Sequence, residues 1–219
     1  MNFRFIKVTG SGKIKLPADT TRITATVSGL FREYAESLKH GAEDTEEICR
    51  ALSVCGFERG DIKTLDFSVN TEYEGYEENG VYKNRLSGYR YRHTLKFEFP
   101  SDNKRLGAVL YALSNCGAAP EFNISYTVKD REEAKNALLA SAVKDAEKKA
   151  RTLTAASGVA LKGVHSINYS FGDTDFEIRP VRVNAVMSKR AAPEAAYDMN
   201  VQPDDIEVSD TVTVVWEIE

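Results

Sequence analysis

The sequence predicts an α+β protein. Its expected base is an antiparallel sheet with a ferredoxin-like βαββαβ unit, to which an additional long helix and extra N- and C-terminal strands are added. Three observations carry this. Hydrophobic periodicity switches in long blocks between two residues and about 3.6 residues. Over residues 21–128 those blocks fall in the order βαββαβ, in which two helices cover one face of an antiparallel sheet. The 219 residues are 42% hydrophobic and 28% charged, the balance of a folded chain with a substantial core. The expectation is a single domain over 1–219. It can also be read as two intertwined α+β subdomains, the ferredoxin-like unit at about 21–128 and a remainder of 1–20 and 129–219.

The elements follow in order. Alternation from Phe3 to Leu16 reads as strand, with a turn at Gly10-Ser11-Gly12. Thr21 to Gly29 places Ile23, Ala25 and Val27 on one face and Arg22, Thr24, Thr26 and Ser28 on the other, the pattern of a half-buried strand. From Glu33 to Cys55 the period becomes helical, with Ala35, Leu38, Ala42, Thr45, Cys49 and Leu52 as the packing stripe and Gly56 as the stop. Asp61-Ile62-Lys63-Thr64 opens a strand to about Tyr73. A polar tip from Glu74 to Gly80 follows, and its Asn79-Gly80 pair signals a hairpin turn. On the returning strand Tyr89, Tyr91, His93, Leu95, Phe97 and Phe99 share one face, opposite Arg90, Arg92, Thr94, Lys96 and Glu98, up to Pro100.

Ser101 or Asp102 caps a short helix carrying Leu106, Val109, Leu110 and Leu113, and a strand spans about Glu121 to Val128. Asp130 and Glu133 form a capping-box pattern before a long Ala-rich helix that ends near Ser157. Its stripe reads Leu138 or Leu139, Ala142, Val143, Ala146, Ala150 and Leu153. A strand near Leu161 to Phe171 is expected next. Gly172 to about Gln202 shows little periodicity and reads as an extended arm. The final strand sets Val212, Val214, Trp216 and Ile218 on one face.

Several motifs recur in a characteristic order. Gly10-Ser11-Gly12 is followed by Pro17 and Asp19, and an amphipathic helix closes at Gly56 ahead of Asp61-Ile62-Lys63-Thr64. Gly88-Tyr89 starts a strand, and Ala146, Lys149, Ala150 and Leu153 precede Gly158. Pro203, Val208 and Val212-Thr213-Val214-Val215-Trp216 close the chain. In this the sequence resembles the SIMPL (DUF541) domain family over essentially its whole length. The resemblance implies an α+β fold that self-associates, and a bacterial protein linked to the envelope or to stress. It carries over no catalytic residue.

The local chemistry reads the same way. Gly10-Ser11-Gly12-Lys13 lacks the spacing and the Ser or Thr of a phosphate-binding loop, and a strand follows it. Ser141-Ala142-Val143-Lys144 has the SxxK spacing of penicillin-binding enzymes without their partner motifs. His40, His93 and His165 are scattered, and Cys49, Cys55 and Cys116 match neither a zinc nor a redox spacing. His93, on the apolar face, reads as a satisfied half-buried histidine. Asp173, Asp175 and Glu177 lack the glycine and glutamate of a calcium loop. Gly88-Tyr89-Arg90-Tyr91-Arg92 resembles the RNA-binding strand of an RRM domain. That register would bury Arg90 and Arg92 unpaired, at a cost of several kcal/mol each, so the aromatic face is assigned to the core.

No catalytic residue, cofactor or metal is therefore expected. The net charge of -4 gives no overall pull towards nucleic acid, and no apolar run is long enough for a membrane span. The opening residues do not read as a secretory signal, which implies a cytoplasmic protein as the sequence stands, or a periplasmic or secreted one if a leader peptide was removed. The function expected is that of a non-enzymatic homo-oligomer or protein-binding module. Its expected interaction surface comprises Tyr76, Arg90, Arg92, Pro180, Met187, Pro193 and Tyr197. The alternative is a small-ligand or peptide-binding module with a cleft between the ferredoxin-like unit and the long helix.

Overall fold

The structure, a computed structural model, describes residues 4–169, 176–178 and 201–219. Its elements in chain order are β1 (Arg4–Leu16), β2 (Thr20–Phe31), α1 (Tyr34–Ser53), β3 (Lys63–Glu78), β4 (Val81–Pro100) and α2 (Asn103–Ser114). Then come β5 (Glu121–Thr127), α3 (Arg131–Ala156), β6 (Leu161–Asn168), β7 (Glu177–Ile178) and β8 (Ile206–Ile218). Two antiparallel sheets and three helices make the fold α+β, as the periodicity predicts.

The described chain divides into two compact units, one of residues 20–126 with 201 and 202, the other of residues 4–19, 127–169, 176–178 and 203–219. In the first, the strands lie in the order β3-β4-β2-β5, with β4 antiparallel to both β2 and β3. That is the strand order of a ferredoxin-like unit, and it follows from the split βαβ connections through α1 and α2. Its core is built as the alternation requires. Ile23, Ala25 and Val27 from β2 and Tyr91, Leu95, Phe97 and Phe99 from β4 pack against Ile48 and Leu52 of α1 and Leu106, Val109 and Leu113 of α2. Asp102 caps α2 by accepting from the Arg105 amide at 2.9 Å.

The stripe on α1 differs from the expected one. The buried residues are Ser37, Gly41, Ile48 and Leu52, while Ala35, Leu38 and Ala42 are exposed. The reason is local contact. The Ser37 hydroxyl donates to the Tyr89 carbonyl at 2.7 Å, and Gly41 leaves room for the Tyr91 ring. A glycine and a serine face the sheet because the aromatic ring and the backbone carbonyl fill that space.

The second unit is a three-stranded sheet, β1-β8-β6, packed on α3. β1 is one unbroken strand, paired with β8 from Arg4↔Ile218 to Leu16↔Ile206, so the expected turn at Gly10-Ser11-Gly12 is absent. The glycines serve packing instead. A Cβ on Gly10 would overlap the backbone of Ala142 and Ala146, and one on Gly12 would overlap the backbone of Leu138. The helix thus lies directly on the strand. Its buried face is Ala134, Leu138, Ala142, Ala146, Ala150 and Thr154, a strict four-residue repeat, and Leu153 of the expected stripe is half exposed. Val8, Val212, Val214 and Trp216 complete this core.

Two backbone bonds on the edge of β1 are closed by α3. Asp145 accepts the Ser11 amide at 2.8 Å, and its i+4 partner Lys149 reaches the Thr9 carbonyl at 3.3 Å. The Lys149 and Ser11 hydrogen bonds hold the Asp145 carboxyl below the usual range.

Candidate interaction surface

Of the expected surface, Tyr76, Arg90 and Arg92 belong to the β3–β4 hairpin. Asn79 and Gly80, with φ of 54° and 76°, form its two-residue turn. That turn fixes the register Glu78↔Val81, Glu77↔Tyr82, Tyr76↔Lys83, Gly75↔Asn84, Glu74↔Arg85 and Tyr73↔Leu86. The ladder therefore extends to the tip, beyond the Tyr73 limit that the sequence suggests. β2 pairs with β4 only from Tyr89 to Pro100. Beyond Gly88, where a Cβ would run into the Phe31 carbonyl, the hairpin is a two-stranded ribbon projecting by about 20 Å at ~3.4 Å per residue.

Its two faces differ. On one, Glu74 pairs with Arg85 at 2.5 Å and Glu78 with Lys83 at 2.6 Å, while Arg85 lies over the Tyr76 ring at 5.4 Å. On the same side Glu72 grips Arg90 through two hydrogen bonds, one of 2.8 Å, and this keeps the Glu72 carboxyl below the usual range. The other face presents Tyr73, Tyr82 and Leu86, which are 64%, 81% and 47% exposed. A bulge between Glu72 and Tyr73 marks where the ribbon leaves the sheet.

Tyr76 is half-buried beneath Arg85, Arg90 is committed to Glu72, and Arg92 is exposed on the sheet face away from the core. Pro180, Met187, Pro193 and Tyr197 lie outside the described residues, as does most of the expected arm. Asp173 and Asp175 also lie outside them, and Glu177 sits half-buried in β7. The apolar trio Tyr73, Tyr82 and Leu86 was not singled out in the sequence, although counting outward from Asn79-Gly80 places all three on one face.

A polar cluster lies inside the same unit. His93 is buried, with its Nδ1 2.7 Å from the Thr45 hydroxyl and its Nε2 2.9 Å from that of Thr64. Thr45 donates its own proton to the Gly41 carbonyl at 2.7 Å. Nδ1 must then carry hydrogen and donate, leaving Nε2 to accept from Thr64. Burial pushes the His93 pKa down, while Asp66 opposes the shift. Nearby, the Tyr91 hydroxyl donates to Asp44, and burial followed by that bond raises the phenol.

A concave site of about 290 Å³ lies within the second unit, lined by Leu16, Pro17, Val128, Asp130, Glu133 and Ala134 among others. Two of its carboxylates are already engaged: Asp19 accepts the Lys129 amide and Asp130 the Glu133 amide, each at 2.8 Å. Among the described residues no helix is long and apolar enough to cross a membrane.

A ferredoxin-like unit bearing a ribbon, together with a second sheet packed on a long helix, defines an α+β protein. The family model described as SIMPL, protein of unknown function (DUF541), matches residues 6–216, and the chain belongs to that family. No curated protein matches the chain. Among solved structures, CutA from Synechococcus elongatus PCC7942 is similar at 14% identity, over 59% of this chain and 94% of that one, with a TM-score of 0.21.

Proposed function

We propose that this chain is a non-enzymatic, self-assembling protein whose subunits associate through the β3–β4 ribbon. The observation that supports this reading is the two-faced ribbon itself. An isolated two-stranded hairpin is marginal in water. This one extends past its sheet with Tyr73, Tyr82 and Leu86 exposed on one side. Three ion pairs match its charges except that of Glu77, opposite Tyr82, so it offers apolar area with only one carboxylate to steer a charged partner. An interface rich in Tyr and Leu and poor in unpaired charge has the character of a contact between copies of one chain. In the His93 cluster both ring nitrogens are satisfied internally, which favours a structural role over turnover.

The test is light scattering of the wild-type chain beside a Tyr73→Ser, Tyr82→Ser, Leu86→Ser variant. The wild type is expected above the 24.3 kDa of one chain and the variant at that mass. A monomeric wild type, or a variant of unchanged mass, overturns the reading.

A further inference from the structure

We propose that β3 is a pairing edge: two copies of the chain join antiparallel along it, Thr71 against Thr71, so that their sheets become one. The inference rests on the self-assembly reading and gives that association its backbone contact and its register.

Among the described residues no strand lies beyond β3, the outer strand in the order β3-β4-β2-β5. β3 is 16 residues long, and an edge strand leaves a row of backbone donors and acceptors open. Such edges are usually blunted by shortness, by Lys or Pro, or by bulges. From Asp66 to Tyr76 there is no Lys, Arg or Pro. The bulge before this run adds Leu65 to β3, but the irregularity at Glu72 and Tyr73 adds Ser87 to β4. β3 itself is therefore unbroken from Asp66 to Glu78. Phe67, Val69 and Thr71 stand opposite His93, Tyr91 and Tyr89, on the helix side of the sheet, and Tyr73 follows them by alternation. Phe67 and Tyr73 remain exposed there. An apolar stripe beside an open ladder fits a strand, which meets the backbone and the side chains together.

Charge selects the register in which a second copy fits. Two identical strands pair about a two-fold axis, and like faces match only when that axis passes through a residue. Like charges directly opposite one another are destabilising. An axis at Val69 opposes Asp66 to Glu72, and one at Asn70 opposes Asp66 to Glu74. Every axis from Glu72 to Glu78 opposes glutamate to glutamate. Axes at Phe67 or Ser68 avoid such pairs but extend no further than Asn70 along the unbroken run. The axis at Thr71 pairs Asp66 through Tyr76 with no like charges opposed. It sets Val69 against Tyr73, Asn70 against Glu72, and Phe67 against Gly75, where an aromatic ring covers a bare edge glycine. The longest register free of repulsion is thus one the chain makes with itself.

The test uses the full chain with Cys49→Ser and Cys55→Ser, which leaves only the buried Cys116. In that background Thr71→Cys is expected to cross-link into a two-chain species under mild oxidation or with a short thiol-to-thiol reagent. Val69→Cys should not do so alone, but should when co-expressed with Tyr73→Cys. Thr71→Glu places glutamate against glutamate at an exposed position. It should raise the dissociation constant roughly tenfold or more with circular dichroism unchanged, whereas Thr71→Val should not. If Thr71→Glu fails to fold, the cysteine pairs decide. A monomeric wild type sinks the self-assembly reading and this inference together. An associated wild type in which Thr71→Cys does not cross-link, Val69→Cys cross-links equally well alone, or Thr71→Glu leaves the dissociation constant unchanged overturns the β3 pairing and leaves that reading standing.

Discussion

Gly10 and Gly12 show how closely a residue without a side chain can be specified. Their inward positions face the backbone of α3, so even one methyl group has nowhere to go. Gly10→Ala is expected to destabilise the fold by about 1–3 kcal/mol, the usual cost of overpacking. Gly163→Ala, at a strand position where a Cβ meets nothing, should be close to neutral. Urea unfolding followed by the fluorescence of Trp216, the single tryptophan, separates the two. His93 adds a pH term of defined sign. Its folded pKa lies below the unfolded value of about 6.5. The neutral-ring contribution is thus fully present above that unfolded value, and it is lost as the pH falls towards and through the lowered folded one. The melting temperature should therefore drop over that window in the wild type and drop less in His93→Gln. Equal slopes would remove His93 from the account.

At the scale of elements, what could be read from the sequence depended on whether buried positions were also hydrophobic. β4 was legible from Tyr89 to Pro100, though not in its first residues from Val81, because Tyr91, Leu95, Phe97 and Phe99 alternate with polar residues, and that alternation places the arginines on the outward face. α1 was legible as a helix but not in its facing, since Ser37 and Gly41 are buried by the ring and carbonyl they meet. β6 hid its pattern in another way. Irregularities on either side of Val164 set Leu161, Val164 and Ile167 opposite Ile218, Trp216 and Val214, so a period of three lies on one face. On the ribbon and its sheet, Arg92 is exposed and Arg90 is held by Glu72, while the exposed apolar trio emerges only once the Asn79-Gly80 register is written out. The edge of β1 offers an element-scale prediction. Asp145 has a lowered folded pKa, so its contribution is present above the unfolded carboxylate range and is lost as pH falls through the folded value. Asp145→Asn should lower the urea midpoint at neutral pH, with the gap to wild type closing in acid. A gap that stays constant with pH would mean that the carboxylate charge does not matter there.

Across the whole molecule, the described residues form two units with cores of their own. The elements of the ferredoxin-like unit fall in one continuous stretch, residues 20–126 with the last residue of β5 just beyond it, around Ile23, Tyr91, Phe97, Ile48 and Leu106. The other unit is assembled from segments before and after that stretch, around Ala142, Ala146, Val214 and Trp216. The lone tryptophan lies in the second, while Cys49, Cys55 and Cys116 all lie in the first. With Cys49→Ser and Cys55→Ser in the background, the buried Cys116 becomes a thiol probe of the ferredoxin-like core, and Trp216 remains the probe of the other. A stretch that closes its own core without its flanks is expected to unfold as its own cooperative step. Ile48→Ala, a core truncation costing about 2–5 kcal/mol, should move the Cys116 labelling midpoint in urea and leave the Trp216 midpoint nearly in place. Gly10→Ala should do the reverse. If each variant moved both midpoints together, the two cores would be one cooperative fold, and the acid response of His93 would then be felt by Trp216 as well.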